Sequence, residues 1–141
     1  MAFIYQESRF VEDARPGKDY LLGFIPWGYK SSAFGYAQAK DEVWGDYIKA
    51  SGNSGADRDD IDDAMDFIGW YIRQSNKVNK VSVWDTKAQY LNYHEGWGGY
   101  RRGTYKSKAW LTKVADKVNQ RASRYGTQYR GCKDSLDDSW F

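Results

Sequence analysis

Apolar residues recur at helical spacing in two long stretches of this chain, and nothing comparable repeats at the two-residue period of a strand. Ile61, Ala64, Met65, Ile68 and Ile72 form one stripe. Trp110, Leu111, Val114, Val118 and Ala122 form another, with lysines on the opposite side. Val43, Tyr47 and Ile48 share a face in a shorter segment that stops at Ser51-Gly52-Asn53. Alternation is confined to Val81-Ser82-Val83-Trp84, so residues 77–83 read as a connector or a brief extended piece. A chain of 141 residues patterned in this way is expected to form one mainly α domain with a real core, α+β at most.

Capping and breaking residues set the expected boundaries. Residues 2–8 read as the last turns of a helix, broken by Asp13-Ala14-Arg15-Pro16-Gly17. Residues 17–35 follow as a long irregular segment rich in Gly and aromatics, including Tyr20, Trp27, Tyr29 and Phe34. A loop so apolar packs over the core or lines a cleft. Asp57-Arg58-Asp59-Asp60 precedes the strongest helix, Asp85 the next and Ser107 the last, each as an N-cap. The helix after Asp85 is expected to stop at Gly96, Gly98 and Gly99. The Asp cluster lacks the central Gly and late Glu of a calcium loop, so it reads as first-turn acids and no metal is called for.

Composition narrows the function. Aromatic residues make up 18% of the chain, more than a core of this size needs, so some rings are expected to line an exposed groove. Trp44, Trp70, Trp84 and Trp110 sit on helical stripes and are assigned to the core. A net charge of +2 argues against a general nucleic-acid binder. The charge is uneven: residues 41–66 carry nine acids against Lys49 and Arg58, and residues 101–130 carry nine bases against Asp116. The basic stretch suits a solvated helix face, an anionic polymer or an acidic membrane surface. Cys132 stands alone, which excludes an internal disulfide. No stretch has the roughly 18–20 apolar residues of a membrane span, and no signal peptide follows Met1.

Glu7 carries the most pointed chemistry. It lies between Phe3-Ile4-Tyr5 and Phe10-Val11, neighbours able to desolvate a carboxyl, raise its pKa and keep it a proton donor. Three segments then occur in order: Gln6-Glu7-Ser8-Arg9-Phe10, Ser32-Ala33-Phe34-Gly35-Tyr36-Ala37-Gln38 and Tyr93-His94-Glu95-Gly96. Together they resemble the three motifs of the soluble lytic transglycosylase (SLT) domain family, within the lysozyme-like superfamily. In that family a Glu-Ser pair ends a helix, a Gly-Leu-Met-Gln string follows, and an Ala-Tyr-Asn-Ala-Gly string comes later. Glu7 and Ser8 match the first motif, Gly35 and Gln38 the second, and Tyr93 and Gly96 the third. Tyr36 and Ala37 replace Leu and Met, while His94 and Glu95 replace Asn and Ala. The stretches at 22–27, 55–60 and 93–103 resemble a divergent branch of lipoproteins that carry a transglycosylase domain.

The resemblance implies a lysozyme-like domain over residues 1–131 with a cleft, followed by a flexible tail at 132–141. It implies cleavage of the MurNAc-GlcNAc β-1,4 bond of peptidoglycan with formation of a 1,6-anhydro sugar. Glu7 would act as acid and then base, assisted by Tyr93. Substrate contacts would come from Ser8, Gly35, Tyr36, Gln38, Tyr29, His94, Glu95, Trp97 and Tyr100. No cofactor is required. The expected partner is the glycan strand, with no nucleic acid and no transmembrane segment, and the protein is expected to be a monomer in the periplasm or cell envelope. Because the family's acid ends a long helix and only six residues precede Glu7, the gene product is expected to extend upstream and to carry its export signal there.

Other readings stay open at the sequence level. A second carboxyl at Glu95 would suit a water-using muramidase, although adjacent His94 and Glu95 on a helix point to different faces. Tyr93 also fits a core position with a satisfied hydroxyl. A noncatalytic glycan-binding module would sediment with cell wall without clearing it. A nucleic-acid binder built on residues 101–130 would show steep salt dependence.

Overall fold

The computed structural model describes residues 1–15 and 32–138, with side chains as far as Leu136. They form α1 (Ala2–Ser8), α2 (Asp41–Ser51), α3 (Ile61–Asn79), α4 (Thr86–Arg102) and α5 (Ala109–Asp138), with a 3-10 turn at Thr104–Ser107. The mainly α class read from the periodicity is the class observed. Among the described residues the extended component is a single antiparallel bridge between Phe34 and Ala39, and residues 77–83 contain no strand. The aromatic-rich loop from 16 to 31, with Tyr20, Trp27 and Tyr29, lies outside the described residues. The chain divides into two compact units, Phe3–Gln74 and Met1–Ala2 with Ser75–Phe141, each described by itself.

In the unit Phe3–Gln74 the core is aromatic. Trp44 and Tyr47 of α2 meet Phe67 of α3 at ring-centroid distances of 5.2 and 5.5 Å, and Trp70 lies 5.7 Å from Tyr47. Rings of this size bury large apolar area with few rotatable bonds, so much of the aromatic excess is structural. Asp60 caps α3, its Oδ1 accepting from the backbone N–H groups of Asp62 and Asp63. The apolar stripe is shifted from the expected one: Ala64, Phe67, Ile68 and Tyr71 are buried, and Met65 is exposed. The large rings at 67 and 71 rotate the buried face away from Met65 and leave Ile61 and Ile72 half-buried. α2 ends where Gly52 adopts a left-handed conformation and donates its N–H to the Ile48 carbonyl.

In the unit containing Ser75–Phe141, α3 runs to Asn79, past the expected connector boundary at 77. Asp85 caps α4 through the Ala88 N–H, as its position predicted. α4 does not stop at its glycines. It breaks at Gly96 (φ 75, ψ 162), resumes, and ends at left-handed Gly103. Leu111, Val114, Ala115 and Val118 of α5 are buried, and Trp110 is half-buried. Ser107 does not cap α5. The 3-10 turn draws its hydroxyl back to the Thr104 carbonyl, and the Lys108 carbonyl accepts the first helical bonds, from Leu111 and Thr112. Trp84, assigned to the core from its spacing, is 90% exposed, because its turn lies outside both helices. The segment set apart as a tail begins as a continuation of α5, helical through Cys132 to Asp138.

Candidate active site

Glu7 occupies the last turn of α1 on the helix's buried side. Phe3, Ile4, Glu7 and Ser8 recur at the spacing of one helical face and are all buried, Glu7 to 7% exposure. Ser8 donates its hydroxyl to the Ile4 carbonyl one turn back. The helix stops immediately after this pair, at the end expected for residues 2–8 and ahead of the breakers at 13–17. Arg9 and Phe10 are both left-handed (φ 51 and 64), a conformation that costs non-glycine residues roughly 1 kcal/mol each. Their side chains fold back on Tyr5, with the Arg9 guanidinium 5.2 Å from its ring and Phe10 edge-on at 6.3 Å. Two consecutive strained residues directly after the buried Glu7-Ser8 pair are the kind of outlier found where backbone geometry serves a site.

The second motif is tied to this turn through one carbonyl. The Ala14 oxygen accepts both the Gly35 N–H at 3.0 Å and the Gln38 side-chain amide at 2.7 Å. Gln38 Nε2 also donates to the Gly35 carbonyl at 2.9 Å, and two carbonyl partners fix the amide's orientation. Its Oε1 is buried without a hydrogen-bond partner among the described residues. Gly35 is left-handed (φ +80) and packs against the backbone of Arg58, whose carbonyl accepts the Tyr36 N–H at 3.2 Å. Tyr36 is half-buried.

Arg58 holds the same loop from its side chain. Its Nη1 donates to the carbonyls of Ser32 and Ala39 at 3.0 and 2.9 Å and pairs with Asp41 at 2.8 Å. The Phe34 ring faces two guanidiniums, Arg15 at 4.6 Å and Arg58 at 5.4 Å. The sequence reading assigned Arg58 no role beyond the capping cluster. The available signal was that it is one of two bases in a stretch with nine acids.

The third motif lies in the other unit. Tyr93 is half-buried. His94 and Glu95 do not diverge as a regular helix would require; Glu95 immediately precedes the break at Gly96, and its Oε2 lies 3.1 Å from His94 Nδ1. Their side chains are only 8% and 4% exposed. Glu95 also accepts from Lys108 Nζ at 2.9 Å and from the Thr104 hydroxyl at 2.8 Å. Burial would push this carboxyl up, but the hydrogen bonds from Lys108, Thr104 and His94 and the Lys108 charge outweigh it and hold it below the usual range. Such a carboxylate is a weak base, which counts against a water-activating role for Glu95.

Trp97 donates its indole N–H to Ser75 at 3.0 Å. Tyr100 stacks on Tyr105 at 5.2 Å, and burial raises the Tyr100 hydroxyl pKa, with smaller contributions from Tyr105 and Asp85. Across the break, Asn79 Nδ2 donates to Asn92 Oδ1 at 2.8 Å and to the Trp97 carbonyl at 3.0 Å. Asn79, Thr104 and Lys108 shape this motif, and none was singled out from the sequence. Among the described residues no group of three or more His, Cys, Asp or Glu is arranged to hold a metal ion, and no helix is long and apolar enough to cross a membrane.

In chain order the described residues hold a buried acid in the last turn of a short helix, a loop pinned through Gly35 and Gln38, and a helix that carries Tyr93 and breaks at Gly96. The family model described as a transglycosylase SLT domain matches residues 1–132, and the chain belongs to that family, which acts on the peptidoglycan of the cell envelope. No curated protein and no solved structure matches the chain.

Proposed function

We propose that the protein is a peptidoglycan lytic transglycosylase with Glu7 as its catalytic acid and base. The observation that carries this reading is the burial of Glu7 at the end of α1, directly before the strained Arg9-Phe10 turn, in a chain of the transglycosylase SLT family. In the proposed reaction Glu7 protonates the oxygen of the MurNAc-GlcNAc β-1,4 bond as it breaks. The resulting carboxylate then takes the proton from the MurNAc 6-hydroxyl as that oxygen closes onto the anomeric carbon. The product is a 1,6-anhydro sugar and no water is consumed. One carboxyl serves both transfers in this reading, and the carboxylate of Glu95 is already engaged by Lys108, Thr104 and His94 in its own unit.

Tyr93 is assigned to assist Glu7 or the developing positive charge. Gln38 Oε1, a buried acceptor without a partner among the described residues, suits the N–H of a substrate acetamido group. Ser8, Gly35 and Tyr36 shape that side of the site, and His94, Glu95, Trp97, Tyr100 and Tyr29 are proposed to border the glycan. The activity belongs in the periplasm or at the cell envelope, where the polymer is. Glu7→Gln keeps the size of the side chain and removes the exchangeable proton; it is expected to lower muropeptide release by at least about 100-fold. Retention of more than a few per cent of parental activity would defeat the assignment. Released fragments from the parent should carry anhydro ends, lighter by one water than reducing ends. Reducing ends alone would instead indicate a hydrolase.

A further inference from the structure

The turn between α3 and α4 presents a tryptophan to solvent from a well-fixed base. Trp84 is 90% exposed, Val83 43% and Val78 41%, so apolar side chains stand in solvent both at the end of α3 and on the turn that follows it. The exposure does not come from a slack loop. The Val81 carbonyl accepts from Asn76 Nδ2 at 2.9 Å and from Gln89 Nε2 at 3.3 Å. The Ser82 carbonyl accepts from Gln89 Nε2 at 3.1 Å and from the Asp85 N–H at 3.1 Å, and the Ser82 hydroxyl takes the Trp84 N–H at 3.2 Å. The Val81 side chain is buried beneath them.

Exposed cations belong to the same segment. Lys77 and Lys80 are exposed on the end of α3, and exposed Arg101 is brought to the same end by its Nε bond to Asn79 Oδ1 at 3.2 Å. Lys80 is held in the left-handed region (φ 57), where a glycine would be less strained. Within residues 76–89 Asp85 is the one acid, and its Oδ1 is engaged as the α4 cap. Lys87 is turned to Asp116, at 2.7 Å.

We infer that this turn is a docking site for an anionic lipid surface. An indole places its ring at the headgroup level of a bilayer, the two valines add apolar contact, and Lys77, Lys80 and Arg101 meet the negative headgroups. A sugar-stacking platform needs acceptors as well as donors beside the ring. Here the Asn76, Asn79 and Gln89 amide nitrogens are turned to carbonyls of the fold, Asp85 Oδ1 is the α4 cap, the exposed charged groups are cations, and Val83 precedes the indole. The inference does not depend on the catalytic assignment.

Sedimentation of the full chain with phosphatidylglycerol/phosphatidylcholine vesicles tests it, beside vesicles of phosphatidylcholine alone and purified cell wall. The parent is expected to bind the anionic vesicles and to be released as salt rises from 0.05 to 0.5 M, as counterion screening requires. Trp84→Ala, a change at an exposed position, is expected to weaken binding at least tenfold without altering the melting temperature. Lys80→Gly is expected to weaken it about fivefold while leaving the melting temperature equal or higher. Absence of vesicle binding by the parent, equal binding by Trp84→Ala, or equal binding to both lipid compositions overturns the inference. So does a Trp84→Ala loss confined to cell wall, which would assign the ring to glycan.

Discussion

At Gly35 a β-carbon would stand 2.0 Å from the Arg58 carbonyl oxygen and 2.6 Å from its carbonyl carbon, and φ is +80. Both obstacles are backbone atoms, so they cannot swing aside. Gly52 has a similar φ, +71, but a β-carbon there meets nothing within 4 Å. The pair separates conformational strain from collision. Gly52→Ala is expected to cost about 1 kcal/mol, the left-handed penalty alone. Gly35→Ala should cost at least about 3 kcal/mol and disturb the bonds that Ala14 makes to Gly35 and Gln38. Urea unfolding of the two variants checks this, and equal costs would mean that the Gly35–Arg58 contact is not tight. The motif spacing picked out Gly35 and Gln38, yet it could not reveal why they are needed. Their partners, Ala14 and Arg58, lie more than 20 residues away, and only the folded chain shows which atoms they bring to Gly35 and Gln38.

Along α4 the break at Gly96 decides what the flanking residues do. Its φ/ψ of 75 and 162 lies in a region essentially reserved for glycine, so the helix can turn there at low cost only because that residue lacks a side chain. Glu95, directly before the break, gathers Lys108, Thr104 and His94 around one carboxylate. Helical periodicity places adjacent residues 100° apart, which is why the sequence separated His94 from Glu95; a break in the helix cannot be read from periodicity. The caps were easier to read, because an Asp at a helix start acts within three residues, as Asp60 and Asp85 do. Ser107 fails the same rule because the preceding 3-10 turn offers its hydroxyl a nearer acceptor. Since the folded Glu95 has a lowered pKa, its stabilisation is present above the ordinary value of 4.5 and is lost as pH falls through the folded value. Glu95→Gln should therefore cost about 2 kcal/mol at pH 7, by leaving the half-buried Lys108 and Thr104 donors poorly matched, and less at acid pH. Thermal melts of both proteins from pH 7 to 3 measure it. A stability difference that stayed constant across that range would remove the ionised carboxylate from the explanation.

For the molecule as a whole, the opposite end of the pH scale is set by tyrosine. The chain has twelve tyrosines, and burial in the fold matters more than their number. Tyr47 is fully buried in the aromatic core, and its pKa is pushed up to about 12, first by burial and then by its 2.6 Å hydrogen bond to Asp66. Burial raises Tyr71 in the same unit, and Tyr100 is raised in the other. Each folded unit thus holds a neutral phenol that the unfolded chain would ionise near pH 10. The sign follows from linkage: the stabilisation is complete below pH 10 and declines as pH rises toward 12, because the unfolded state then sheds protons that the folded state retains. The melting temperature should therefore stay level between pH 8 and about 9.5 and fall above about pH 10. Tyr47→Phe removes one ionisable core phenol. At neutral pH it should lose about 1 kcal/mol, since Asp66 is exposed and regains water. Above pH 10 the variant should lose stability less steeply than the parent, so the two curves converge or cross. If they ran parallel to pH 12, the neutral Tyr47 phenol would not be what limits the fold in alkali.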